Sequence, residues 1–259
     1  MKQLSSRSSA EQLLEPPGPV NTTPRRPVSI FFGRDQGMVS FVGFLALAMM
    51  VVPMVSLSRA GQLALALVFV LTLILGATVI IQRRVVVYLV AALATSTFGV
   101  DLISGVRPSH RLAALDTTLK LACLSILVLM TLKRTLRPGR VTVYRVFGGI
   151  AGYLLIGYTW TFAYQLLLLQ TPGAIHFEPA VSETFSQQPS HLIYFSFVTL
   201  TTVGYGDVHP VDPAARSLAI TEALVGQLYL AILIASLVGM ALQARSAEED
   251  PDSARRDTG

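Results

Sequence analysis

TLTTVGYGDVHP, residues 199–210, sets two glycines around a tyrosine directly after a run of threonines. The stretch lies between a short apolar segment, 190–203, and a long one, 217–243. The first is too short to cross a bilayer core, which takes roughly 20 apolar residues in a helix. The motif therefore reads as a re-entrant loop, and non-helical backbone at membrane depth is tolerated only where it is buried in protein or lines a watery cavity. In an extended strand successive carbonyls point to opposite sides, but glycine accepts positive φ as readily as negative. Gly204 and Gly206 can break that alternation, so the carbonyls of Thr202, Val203, Gly204 and Tyr205 can face one axis, with the Thr202 hydroxyl as a further oxygen layer. Oxygens stacked on an axis replace the water around a cation.

The rest of the chain agrees with a membrane setting. Of the 259 residues 52% are apolar and 14% charged, and the mean hydropathy is +0.58. Six runs are long enough to span: 38–58, 62–81, 85–104, 113–132, 143–170 and 217–243. The expected fold is an all-α membrane protein of six transmembrane helices plus a re-entrant pore helix and filter loop. Its expected divisions are a disordered tail at 1–35, a four-helix block at 36–140, a pore unit at 141–245 and a short polar tail at 246–259. Pro16, Pro17, Pro19, Pro24 and Pro27 mark the first of these as unable to bury a core. That leader does not resemble a cleavable signal peptide, so the first helix is expected to stay as an anchor. The final tail is expected to hold no ligand-sensing domain.

Lys and Arg collect in cytoplasmic loops. With the N-terminus inside, the inner segments carry Lys2, Arg7, Arg25, Arg26, Arg34, Arg83, Arg84, Lys133, Arg134, Arg137, Arg140, Arg145, Arg245, Arg255 and Arg256, against Arg59, Arg107, Arg111 and Arg216 outside. Both termini are expected in the cytoplasm and the membrane is expected to be the cell membrane. The net charge of +5 then follows from topology and attraction to anionic lipids, with no nucleic-acid partner needed. Cys123, the sole cysteine, allows neither an internal disulfide nor a cysteine metal cluster. His110, His176, His191 and His209 are scattered in outer loops and read as solvated surface. No nucleophile and base pair or phosphate loop points to an enzyme.

Thr202, Val203, Gly204, Tyr205, Gly206 and Asp207 resemble the potassium-channel signature motif, and the resemblance extends over residues 141–245. It implies a potassium-selective channel with passive conduction, K+ held at Thr202, Val203, Gly204 and Tyr205, and four copies of the chain around one pore, since one loop cannot encircle an ion. No cofactor is implied beyond K+ as the permeant ion; the implied partners are further copies of the chain and membrane lipids. Tyr194 and Phe195 fall where the family carries aromatics packed around the filter, and Thr201 belongs to the same supporting set. Val198 stands where some members place a glutamate behind the filter, so Asp207 is either a solvated mouth residue or takes another partner, the Tyr194 hydroxyl being the candidate. Glu178, Glu183, Asp207 and Asp212 would concentrate cations at the mouth. Glu222 is an ionisable residue near the membrane interior, and either serves function or bonds quietly to hydroxyls of the pore helix such as Thr199 or Thr201. Gly226 matches the family's hinge position, and either bends or lets helices approach.

The four helices before the pore look like the voltage-gated architecture without its arginine repeat. Between Arg111 and Lys133 the only basic residue is Lys120, with Asp116 one turn away and Asp101 as a further candidate partner. Weak or absent voltage sensing follows. Pro138 and Gly139 put Lys133, Arg134, Arg137 and Arg140 in a loop. A potassium-uptake transporter would show internal repeats, a non-conducting accessory subunit a damaged filter, and a nonselective cation channel, the nearest rival, a change at Tyr205. None of these features is present.

Overall fold

A computed structural model describes residues 29–55, 59–80, 84–106, 109–136, 142–178 and 189–249. The chain divides into two units, 1–32 and 33–259. The first lies outside the described residues apart from the start of a helix; the second holds the membrane helices and the loop at 199–210.

The helices are α1 (Ser29–Val55), α2 (Arg59–Ile80), α3 (Arg84–Val106), α4 (His110–Thr135), α5 (Val143–Gln170), α6 (Pro189–Leu200) and α7 (Pro213–Glu249). Two short strands, β1 (Ile175–Phe177) and β2 (Val208–Pro210), flank α6 in sequence. Among the described residues four helices are long and apolar enough to cross a membrane, at Leu63–Ile80, His110–Thr135, Tyr144–Gln170 and Pro213–Leu242. The apolar described parts of α1 and α3, Gln36–Val51 and Val87–Ile103, are shorter, which leaves the expected count of six spans at four on this measure. The result is a mostly helical, multi-pass membrane protein.

Several boundaries differ from the sequence reading. Helix α1 starts at Ser29, inside the stretch 1–35 expected to be disordered, because Ile30, Phe31 and Phe32 make the chain apolar again straight after Pro27. Lys133 and Arg134 belong to the last turn of α4 and not to a loop. The Arg134 guanidinium donates to the Ile80 carbonyl at the end of α2 and stacks on the Tyr144 ring 4.9 Å away, so a cation completes a helix C-terminus. Pro138, Gly139, Arg137 and Arg140 lie outside the described residues. Helix α7 continues to Glu249, past the end of its apolar run and into the stretch expected as a tail.

The core of the front block gathers Phe41, Leu45, Leu73, Leu124 and Leu127 with Ala151 and Leu155 of α5, so the two halves of the chain share one apolar interior. Helix α5 approaches α6 and α7 closely because its face is cut back to glycine. A Cβ at Gly149 would stand 2.6 Å from Leu233 of α7, and one at Gly157 2.6 Å from the Phe197 ring of α6. Where lipid removes the hydrophobic drive between helices, such small residues let backbones close up. The rings that reach across these seams find carbonyls: the Tyr229 hydroxyl donates to Gly149 O at 2.7 Å, Trp160 Nε1 to Leu218 O at 3.2 Å and the Tyr158 hydroxyl to Leu45 O at 3.1 Å.

Gly157→Ala is expected to destabilise the protein by about 1–3 kcal/mol through overpacking. The added Cβ meets three atoms of one ring inside 3.0 Å. Thermal unfolding in detergent reads the change, and pairing it with Phe197→Leu should recover part of the loss.

Candidate pore-lining site

Helix α6 ends at Leu200, and the chain turns back on its C-terminus at once. The Val198 carbonyl accepts from the amides of Val203 at 3.0 Å and Gly204 at 3.4 Å, while Thr202 N donates to Thr199 O at 2.9 Å and Thr201 N to Phe197 O at 3.0 Å. Helix-end carbonyls are thereby satisfied by the loop itself. Thr201 also returns its hydroxyl to Phe197 O at 2.6 Å. Positive φ falls at Thr202 (58°), Gly204 (58°) and Gly206 (86°), and not at Val203 or Tyr205 between them. The two glycines were legible as positive-φ positions; Thr202 was not, because a β-branched residue is an outlier there. Gln227 of α7, which the sequence did not single out, donates to Thr202 Oγ1 at 3.4 Å.

The outer end of the loop is fixed by the strands. β1 and β2 pair antiparallel, with His176 opposite His209 and Phe177 opposite Val208. Glu178 N donates to Asp207 O at 2.8 Å and continues the ladder. This small sheet joins an otherwise helical fold, and strand pairing of three residues leaves no periodic signal in the sequence. The histidines of this region have contacts as well as exposure. His209 Nδ1 lies 3.1 Å from Gly206 O, the His176 and His209 rings are 5.0 Å apart, and His191 sits on α6 and not in a loop, near Phe177. His110, at the start of α4, reaches Leu169 O at 2.6 Å.

The Tyr194 hydroxyl donates to Asp207 Oδ2 at 2.7 Å, the pair anticipated from the sequence. Phe195, the next residue on α6, turns away from that contact and packs on Tyr164 of α5 with centroids 4.8 Å apart. Of the acids expected at the mouth, Asp212 caps α7 by accepting from Ala214 N at 2.8 Å, and Glu183 lies outside the described residues.

Glu222 is fully buried, and its partners are not Thr199 or Thr201. Oε2 accepts from the Tyr164 hydroxyl at 2.6 Å and Oε1 lies 2.5 Å from Ser196 Oγ, which is also 2.8 Å from Gly157 O. The carboxyl thus joins α5, α6 and α7. Thr201 is spoken for by Phe197 O, which leaves Ser196 as the hydroxyl on the α6 face that meets α7. Tyr164 and Ser196 went unremarked in the sequence; a buried acid needs donors, and a hydroxyl one turn back along the pore helix was the signal. One turn on from Glu222, a Cβ at Gly226 would stand 2.5 Å from Leu200 O, so close approach gives this glycine a packing reason.

Glu222→Gln should hold the clamp: its carbonyl accepts from Tyr164, its amide donates to Ser196, and Ser196 donates to Gly157 O. Glu222→Leu strands the Tyr164 hydroxyl, while Ser196 keeps Gly157 O as its acceptor, and is expected to cost about 1–3 kcal/mol. The comparison of melting temperatures reads this, and equal losses in both variants would remove the clamp.

Residues 141–243, which hold α5 through most of α7 and all of the loop above, match the family described as Ion channel. Among relatives, Two pore potassium channel c of Oryza sativa subsp. japonica is 31% identical over 105 residues, covering 36% of this chain and 23% of that protein. Protein LctB of Geobacillus stearothermophilus is 38% identical over 90 residues, 34% of this chain and 63% of its own length. LctB of Bacillus caldotenax is 38% identical over 80 residues, 30% of this chain and 59% of its own. The chain therefore spans less than two thirds of each of these relatives. Over residues 141–243 the chain is thus similar to ion-channel domains, and over part of its length to a two-pore potassium channel.

Proposed function

We propose that the chain is the subunit of a potassium-selective channel in the cell membrane, with six spans per subunit, both termini in the cytoplasm and four subunits around one pore. The observation that carries this reading is the alternation of positive and ordinary φ along Thr202–Gly206. Alternating handedness turns successive carbonyls to one side, so Thr202, Val203, Gly204 and Tyr205 supply oxygen layers to K+. The opposite side of the loop needs cover. Val203 is 52% and Tyr205 72% exposed in a single chain, and irregular backbone beside lipid is untenable, which favours further copies packed against it. Asp207, Tyr194, Phe195, Thr201 and Glu222 support the filter, and Gly226 is the hinge candidate. The negative end of α6 faces the inner side of the loop and favours a partly hydrated cation there.

Purified protein in planar bilayers, recorded with asymmetric K+ and Na+, should reverse near the K+ equilibrium potential. Gly204→Ala, strained by about 1–2 kcal/mol at its left-handed φ, should lose that selectivity. Equal permeability to the two ions would leave a nonselective pore, and no current at all would favour an accessory subunit.

Opening is expected to depend weakly on voltage. One elementary charge crossing the whole field gives about 2.3 kcal/mol per 100 mV, and a strong sensor moves three to four per subunit. Lys120 is bonded to Asp116 on the same helix, so displacement of α4 carries the two charges together. The conductance–voltage curve should be shallow and change little in Lys120→Gln. A steep curve whose slope collapses in that variant would show α4 to be a sensor.

A further inference from the structure

In the β1–β2 ladder His176 stands opposite His209. Along β1 the exposed His176 lies between the buried Ile175 and Phe177, and on β2 His209 is the exposed residue between the half-buried Val208 and Pro210. Opposed residues of an antiparallel pair put their side chains on one face, and these two rings lie 5.0 Å apart between centroids with their planes at 45°. With metal–nitrogen bonds of about 2.0–2.1 Å, two imidazoles on one ion at an angle of roughly 90–110° have centroids about 4.5–5.3 Å apart. The observed spacing falls in that range. The tautomer of one ring is set as well, because His209 Nδ1 lies 3.1 Å from Gly206 O. A carbonyl only accepts, so Nδ1 holds the proton and Nε2 of the neutral ring keeps its lone pair. Histidines that bind metals show this arrangement, the second ring nitrogen donating to a backbone carbonyl or carboxylate. The His176 ring turns about a broad, two-fold χ2 torsion, which can bring either of its nitrogens to the same ion.

We propose that His176 and His209 form a binding site for a transition-metal dication of the Cu2+, Ni2+ and Zn2+ class, ligated by Nε2 of His209 and one ring nitrogen of His176, with water completing the shell. Among the described residues no group of three or more His, Cys, Asp or Glu is placed to hold a metal ion. The site is therefore an open one with two protein ligands, and not an enclosed structural centre. Imidazole selects these ions over Ca2+ and Mg2+, which take oxygen. Two rungs along the ladder Glu178 N donates to Asp207 O at 2.8 Å, and the carboxylates of these two residues raise the local concentration of a dication. The bound ion draws electron density from the His209 ring, which makes Nδ1–H the stronger donor to Gly206 O at the end of the loop. The site does not rest on the pore reading, since it needs only the strand pair of one chain.

The probe is Cu2+, the strongest binder of the series at a nitrogen site, titrated into the tag-free full chain in detergent micelles. Calorimetry gives affinity and stoichiometry, and electron spin echo modulation counts the imidazoles on the ion. The unaltered chain should take up one Cu2+ per chain with the modulation of two imidazoles. Changes in the outer shell of a metal site alone cost about 10–100-fold in affinity, so loss of a ligand in His176→Gln should weaken binding at least about tenfold and leave one imidazole in the spectrum. His209→Gln should do the same. Where that second variant loosens the loop by losing its contact to Gly206 O, His176→Gln, which leaves the contact in place, carries the test. A single imidazole in the spectrum of the unaltered chain, affinity unchanged in His176→Gln, one ion for every four chains, or no saturable uptake would each overturn the proposal, the third by placing the ion between copies.

Discussion

When the chain leaves helical geometry at Thr201, its backbone amides and carbonyls lose their automatic partners, and lipid offers none. The rest of the pore unit can be understood from that constraint. Val198 O takes two amides of the loop, Thr201 and Thr202 fold back on the last turn of α6, and Asp207 is tied at both its backbone and its side chain. Within one chain Val203 and Tyr205 remain exposed.

Holding such a loop in register requires that α6 not move, and the packing behind it is built to that end. Glycines at 149 and 157 bring α5 against α7 and α6 at distances that no side chain would permit. Glu222 then bridges all three helices through Tyr164 and Ser196. A buried acid is costly unless its hydrogen bonds are made, and here they are made by hydroxyls that themselves sit on apolar helices with no solvent to turn to. The dependence is mutual for Tyr164, whose hydroxyl has the carboxyl as its acceptor, while Ser196 also reaches Gly157 O.

The second buried charge cluster is of a different kind. Around Glu222 the carboxyl oxygens have their donors; around Lys120 the single ammonium is divided between two acids, and one oxygen of Asp116 is left over. The first arrangement fixes geometry. The second lies beside a cavity that reaches from α1 to α6.

The sequence by itself determined the elements and the loop between them, because hydrophobic run length and the glycine pair at 204 and 206 are local properties that survive without a fold. It also anticipated the Lys120, Asp116 and Tyr194, Asp207 contacts, the former from helix spacing and the latter from a missing acid at Val198. Only the tertiary structure decided that Glu222 meets Ser196 and Tyr164 in place of the threonines, that Thr202 adopts a left-handed φ, that three residues on either side of α6 pair as strands, and that Phe195 turns to α5. Each of these depends on how helices cross and which faces meet. A hydroxyl on one helix and a carboxyl on another carry no mark of each other in the order of residues, and it is the close approach allowed by glycine on α5 that brings them within a hydrogen bond.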